Sequence, residues 1–258
     1  MVSIEVLLHG ESISTNYGSL GYCSTLLIRG SQNIIVDTGH VGRRRALQKA
    51  LNDRNLQPAD INIAVMTHAH WDHAQNYDIF PSAEVLIHEW ERKYIRNPHP
   101  NDWATPLWTN AMIDSLGKVK EVEDGYQLED GITVMHTPGH SAGTMALIVE
   151  TEEGPVAITG DGIAHAEVIS TKTNANVFWN EADSKRSIAR IIQAAEIIYP
   201  GHDRPFKILK NENIEYLEDR NLSFFGIDIT QPDISILSQR IEPFVMPGIE
   251  DQKLLIDQ

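Results

Sequence analysis

"THAHWDHAQN", residues 67 to 76, sets His68, His70, Asp72 and His73 within six consecutive positions. The stretch directly follows the apolar run "INIAVM" (61–66), which reads as a compact buried strand. A hydrophobic core has no use for three imidazoles and a carboxylate at a strand end, because each buried polar group needs a partner. On a tight loop, His68 and His70 can point to one place while Asp72 and His73 turn toward a neighbouring one. One metal ion does not easily accept all four side chains. Two ions a few ångströms apart do.

The same context recurs downstream. "TPGHSAGT" places His140, "ITGDG" places Asp161 and "YPGHD" places His202, each just after an apolar strand and beside glycine. Neutral imidazoles and carboxylates are good ligands for Zn²⁺ and its first-row neighbours. Separate capping and turn roles for each residue are the plainer alternative.

Around these points the chain alternates short apolar runs with turns. "IEVLL" (4–8), "STLLIRG" (24–30) and "NIIVDTG" (33–39) read as hairpin strands, followed by a helix from about Arg43 to Asn55 with Leu47, Ala50 and Leu51 inward. "AEVLIH" (83–88) is a further strand, and Thr105 is expected to cap a helix with Pro106 at its first position and Gly117 past its end. "ITVMHTPG" (132–139), "TMALIVE" (144–150), "PVAITGDG" (155–162) and "EIIYPGHD" (196–203) suit a second sheet. Ile188, Ile191, Ile192 and Ala195 keep the spacing of an amphipathic helix. Two groups of strands, each followed by helices, suggest two sheets packed face to face with helices outside. Composition alone does not separate this from a doubly wound sheet, and the segment after about residue 210 is left unassigned.

With 258 residues, 41% of them hydrophobic, the chain can bury a substantial core without disulfides, and its one cysteine, Cys23, reads as an inert packed thiol. A net charge of -15, spread along the chain, disfavours nucleic-acid partners. No apolar run approaches the ~18 residues of a membrane span. A cytoplasmic protein with no membrane partner is expected.

"VDTG" (36–39), "THAHWDH", "TPGH", "TGD" and "PGHD", in that order over roughly residues 20 to 210, resemble the metallo-β-lactamase superfamily. The resemblance implies an α+β fold, an αβ/βα sandwich of two mixed sheets with outer helices, built as one domain over 1–258. It implies that His68, His70 and His140 bind one metal, that Asp72, His73 and His202 bind a second, that Asp161 bridges them, and that Asp37 orients the cluster. Two divalent transition-metal ions follow, zinc first, with iron, manganese or cobalt as alternatives. The chemistry implied is hydrolysis by a metal-bridging hydroxide, with Asp72 and Asp161 as the catalytic carboxylates and Asp72 handing a proton to the leaving group.

Departures narrow the choice within the superfamily. Zinc β-lactamases carry Cys where Asp161 stands, redox diiron members carry Glu where His70 stands, and the Arg/Lys glutathione pattern of glyoxalase II is not found. "HWDHAQNYDIFPSAEV", "TPGHSAGTMALIV" and the long insert before His140 look most like the N-acyl homoserine lactonase group. Those lactonases present a tyrosine where this chain has Ala164, followed by His165. The expected reaction is therefore opening of a lactone or cleavage of a carboxylic ester in a small molecule with a hydrolysable carbonyl. Thioester or phosphoester hydrolysis, or metal binding without catalysis, are the rivals. The insert, about 89–118, is expected to cover the pocket, with Trp103 and Trp108 as walls and His165 or His99 within reach. His9, His88 and His136 read as structural, and a homodimer is the expected assembly.

Overall fold

Alternation along the early strands decides how the chain layers. In the computed structural model, which describes residues 2–223 and 243–251, the N-terminal half starts with β1 (Ser3–Leu8) and a hairpin of β2 (Glu11–Thr15) and β3 (Gly18–Tyr22). Next come β4 (Thr25–Arg29), β5 (Asn33–Val36), α1 (Arg44–Asn52), β6 (Ile63–Val65), β7 (Glu84–His88), α2 (Glu89–Tyr94), α3 (Trp108–Ser115) and β8 (Val119–Val122). These strands form a six-stranded sheet in the order β1-β4-β5-β6-β7-β8, antiparallel as far as β5 and parallel beyond it.

The second half runs β9 (Gln127–Glu129), β10 (Ile132–His136), β11 (Met145–Thr151), β12 (Gly154–Gly160), α4 (Val168–Thr171), β13 (Asn176–Val177), α5 (Glu181–Ala194), β14 (Ile197–Pro200), β15 (Phe206–Ile208), β16 (Ile214–Tyr216) and, later, β17 (Phe244–Val245). Its seven-stranded sheet is ordered β16-β15-β14-β12-β11-β10-β9, with β12 and β14 parallel across α5 and the other pairs antiparallel. Both sheets are mixed.

Strand residues point alternately to the two faces of a sheet. Leu26, Ile28, Ile34, Val36, Ile63, Val65 and Leu86 therefore meet Val134, Leu147, Val149 and Ile158 of the opposite sheet in a central core. The intervening Leu27, Ile35, Ala64 and Val85 face Leu47, Ala50 and Leu51 of α1. On the far side, Ala157, Ile198 and Phe206 pack under Ile188 and Ile191 of α5. Strands buried on both faces explain the near-continuous apolar runs in the sequence. The result is the expected αβ/βα sandwich. Among the described residues, no helix is long and apolar enough to cross a membrane.

Several local expectations shift. The helix foreseen from Arg43 to Asn55 spans Arg44–Asn52, and Asn55 lies beyond its end with φ at +57°. Thr105 is not a cap: α3 begins at Trp108, because Asp102 Oδ1 takes the backbone N–H groups of Ala104 and Thr105 and holds them in a turn. Ala195 ends α5 as its C-cap rather than continuing it. His9 is exposed, 3.4 Å from Glu218, whereas His88 and His136 stack at 3.9 Å inside the fold. The segment after residue 210 contributes β16 and β17; residues 224–242 and 252–258 lie outside the described residues.

Candidate metal centre

The donors stand at the C-terminal ends of strands, along one edge of the sandwich. Asp37 follows β5, His68 to His73 follow β6, His140 follows β10, Asp161 follows β12 and His202 follows β14. Backbone hydrogen bonds hold these loops together: Asp37 N donates to Val65 O, Met145 N to Thr67 O, Gly201 N to Gly160 O and His202 N to Ala164 O. Gly201 has no alternative here, since a Cβ would overlap Oδ1 of Asp161.

All seven predicted ligands are buried. His68, His70 and His140 form one donor group, and Asp72, His73 and His202 another, with the atoms of each within 4.8 Å of one another. In the first, His70 Nδ1 is 2.9 Å from His140 Nε2. In the second, His202 Nε2 is 3.3 Å from both His73 Nε2 and Asp72 Oδ2. Asp161 faces both groups. Its Oδ2 is 3.2 Å from His140 Nε2, and its Oδ1 is 3.5 Å from His73 Nε2 and 3.4 Å from His202 Nε2.

These separations fit ions. Two nitrogens about 2.0–2.1 Å from a tetrahedral zinc stand about 3.4 Å apart. His68 Nε2 and Asp161 Oδ1 are buried without a hydrogen-bond partner, as ligand atoms awaiting a cation would be. In three of the histidines the other ring nitrogen is fixed from behind. His73 Nδ1 donates to Asp37 Oδ2 at 2.7 Å, His140 Nδ1 to Asn176 O at 2.8 Å and His202 Nδ1 to Tyr22 O at 3.1 Å. Each bond leaves Nε2 free to bind metal.

The electrostatics differ between the groups. Burial pushes His68 well below the usual imidazole range, aided by the neighbouring rings of His73, His70 and His140. Burial likewise lowers His70, and takes His140 down to about 4. Burial opposes protonation of His73 too, but Cys23, Asp37, Asp161 and Asp72 together raise it well above its usual value. His202 is raised despite burial by Asp161 and Asp72. Asp161 stays ionised despite burial because His202, His140 and His73 surround it. Cys23 lies within reach of Asp37 and His73, but burial pushes its thiol up to about 12, and a protonated thiol is a poor ligand.

A cavity opens onto this cluster. The β2–β3 hairpin forms one wall through Ser12, Ser14, Ser19 and Leu20, while Trp71, Trp103, His165, Asn176 and Phe178 supply the rest. Phe178 packs edge-on against His70 at 4.8 Å and against Trp103 at 5.2 Å. From the insert, Trp103 and Ala104 line the cavity; Trp108 does not, and His99 instead accepts a hydrogen bond from Asn101 N. His165 does line it, its ring stacked on His202 at 5.9 Å.

Sequence reading misses the hairpin wall and Asn76. The Asn76 amide, buried beside His73, donates to the carbonyls of Thr38, Gly39 and His40 and so pins the loop carrying Asp37. Its place at the end of "HWDHAQN" is the only hint the sequence offers.

This fold with this donor set defines a class. The model of the metallo-beta-lactamase superfamily matches residues 18–202, and the chain belongs to that superfamily. Metallo-beta-lactamase domain-containing protein 1 of Xenopus laevis is 29% identical over 230 residues, covering 85% of this chain and 87% of that protein. An N-acyl homoserine lactonase from a Bacillus species is 26% identical over 151 residues, covering 57% of this chain and 58% of its own. A crystal structure of a B. thuringiensis AiiA variant, with N-decanoyl-L-homoserine bound at its active site, superposes with a TM-score of 0.62 at 19% identity. That likeness covers 78% of this chain and 92% of the other, and it concerns the fold.

Proposed function

We propose that the protein is a dinuclear metal-dependent hydrolase that opens a lactone or cleaves a neutral carboxylic ester. The observation that carries this reading is the position of Asp161, whose two oxygens face two separate donor groups beneath a cavity. His68, His70 and His140 would hold one ion and Asp72, His73 and His202 the other, zinc being the best match to this nitrogen-rich set. Bound there, two such ions supply Lewis acidity and a water acidified to near-neutral pKa.

The chain's own residues do the rest. Asp72 lines the cavity and can carry a proton to the departing alkoxide. Phe178, Trp103 and Leu20 give an acyl tail an apolar surface, and the Ser12, Ser14 and Ser19 hydroxyls offer hydrogen bonds to polar substituents. Among the described residues, no Lys or Arg lines the cavity, which favours an uncharged substrate over a phosphoester. Ala164 provides no hydroxyl for the carbonyl. His165, held below its usual pKa by burial, is a neutral imidazole able to donate in its place. The similarity to a Bacillus N-acyl homoserine lactonase supports the lactone assignment.

The test is kcat/KM of the zinc-loaded protein against neutral lactones, carboxylic esters, thioesters, phosphodiesters and β-lactams. Lactones or esters should lead, and His165→Ala should slow them without loss of metal. A phosphodiester in first place, or no turnover of any lactone or ester with both ions bound, would overturn the reading.

A further inference from the structure

A fully buried carboxylate lies outside the seven donors and, among the described residues, makes no hydrogen bond to any of them. Glu91 stands in the first turn of α2, immediately after β7, with no exposed surface. An isolated charge in such a place is strongly disfavoured unless it is paired or hydrogen-bonded. Among the described residues, no cation contributes to the electrostatics of Glu91. Instead, three donors converge on it. Its Oε1 accepts from Ala69 N at 2.8 Å, and its Oε2 accepts from Ser141 Oγ at 2.7 Å and Gly143 N at 2.8 Å.

The places those donors come from give the carboxylate its meaning. Ala69 separates His68 from His70, and Ser141 directly follows His140. One side chain therefore joins the loop of His68 and His70, which runs on to Asp72 and His73, to the loop of His140, one loop from each sheet, and its bonds flank only the first donor group. Its approach is built into the backbone as well: a Cβ on Gly143 would overlap the backbone nitrogen of Glu91. Burial pushes Glu91 above the usual carboxylate range, while the bonds from Ser141, Ala69 and Gly143 pull it back. No comparable tie runs from Glu91 to Asp72, His73 or His202 among the hydrogen bonds of the described residues.

We infer that Glu91 is a positioning residue for one metal site alone, fixing the spacing of His68, His70 and His140 by clamping their two loops. The inference rests on the dinuclear reading above. Outer groups that orient metal ligands typically change affinity by about 10–100-fold when removed. In Glu91→Gln the shape is kept, but an amide NH₂ must face one of the three donors.

The experiment is a titration of metal-free protein with Zn²⁺ against a chromophoric chelator, resolving two affinities, alongside thermal melting of the metal-free form. Glu91→Gln should weaken one site by about 10–100-fold and leave the other within about threefold. Ser141→Ala, a milder cut that removes one donor, should weaken the same site by less. Loss of the Co²⁺ absorption of a single site would report the same selectivity. Equal weakening of both sites, or a lower melting temperature with both affinities intact, would overturn the inference. If Glu91→Gln does not fold, Ser141→Ala alone decides: no selective loss there overturns it too. Wild-type protein that takes up no metal would instead sink the dinuclear reading itself.

Discussion

Oδ2 of Asp37 lies 2.7 Å from Nδ1 of His73, and the backbone that presents this carboxylate sits at φ +53°. Such a conformation costs a non-glycine residue about 1–2 kcal/mol. Asp37 accepts it where the chain turns out of β5, and the same carboxylate also binds Thr67 through its N–H and its hydroxyl. One strained residue thus fixes a ligand of the second donor group and the loop of the first.

Asp37→Asn separates charge from geometry, because asparagine tolerates the left-handed region. The backbone should hold, while His73 loses its anionic partner. Zinc affinity of the second site should fall by about 10–100-fold, read by chelator competition, with a circular dichroism spectrum like that of the wild type. Unchanged affinity would show that Asp37 serves the turn and not the metal.

Asp161→Asn removes the one carboxylate shared by both groups. Both affinities should drop together, and kcat/KM should fall by at least about 100-fold while the fold survives. A variant that loses only one site would mean that Asp161 does not bridge.

Metal uptake should depend on pH differently at the two sites, since a proton must leave before a ligand binds metal. His68, His70 and His140 are shifted downward, His140 to about 4, so protons compete with metal less at this site. His73 and His202 are shifted upward, so protons compete with metal for them to higher pH. Affinity at the second site should therefore rise with pH above the usual imidazole range, with proton release, while the first site stays nearly flat until the solution is strongly acid. Calorimetry in buffers of different ionisation enthalpy measures the protons released. Equal release at both sites would refute the assignment.

Trp103 lines the cavity at 58% exposure, whereas Trp108, at 49%, lies outside its lining. If an acyl tail crosses Trp103, losing ~40 Å² of contact costs about 1 kcal/mol, or about fivefold in KM. Trp103→Ala should raise KM for long-tailed lactones more than for short ones, and Trp108→Ala should do neither. The same chain-length series on both variants distinguishes wall from surface.

The layers of the fold are legible in sequence because β4, β5, β6, β11, β12 and β14 are buried runs of large apolar residues, and α1 and α5 carry clear helical stripes. The candidate donors are also easy to pick out, since few residue types ligate metal and these stand at strand ends, where the structure brings them together. Their supports are not. The groups that hold His140 and His202 are backbone carbonyls of Asn176 and Tyr22, and a carbonyl has no sequence signature. The β2–β3 hairpin is written largely in serine and glycine with its tip in solvent, and the few apolar residues it pairs, such as Ile13 with Leu20, are too sparse to announce it. Trp103 and Trp108 look equivalent in the chain, and only the turn held by Asp102 sends them to different places.

Beside the cluster, β17 lies parallel to β13, and its Phe244 packs against Phe178 and Trp103. A ribosome delivers these pieces in a fixed order. Every donor has emerged once His202 is out, but the strand that backs the aromatic wall follows only much later. Completing the candidate donor set and sealing that wall are therefore separable events in the synthesis of the chain. A polypeptide stalled just short of Phe244 would already carry the full donor set, behind a wall still missing its outermost ring.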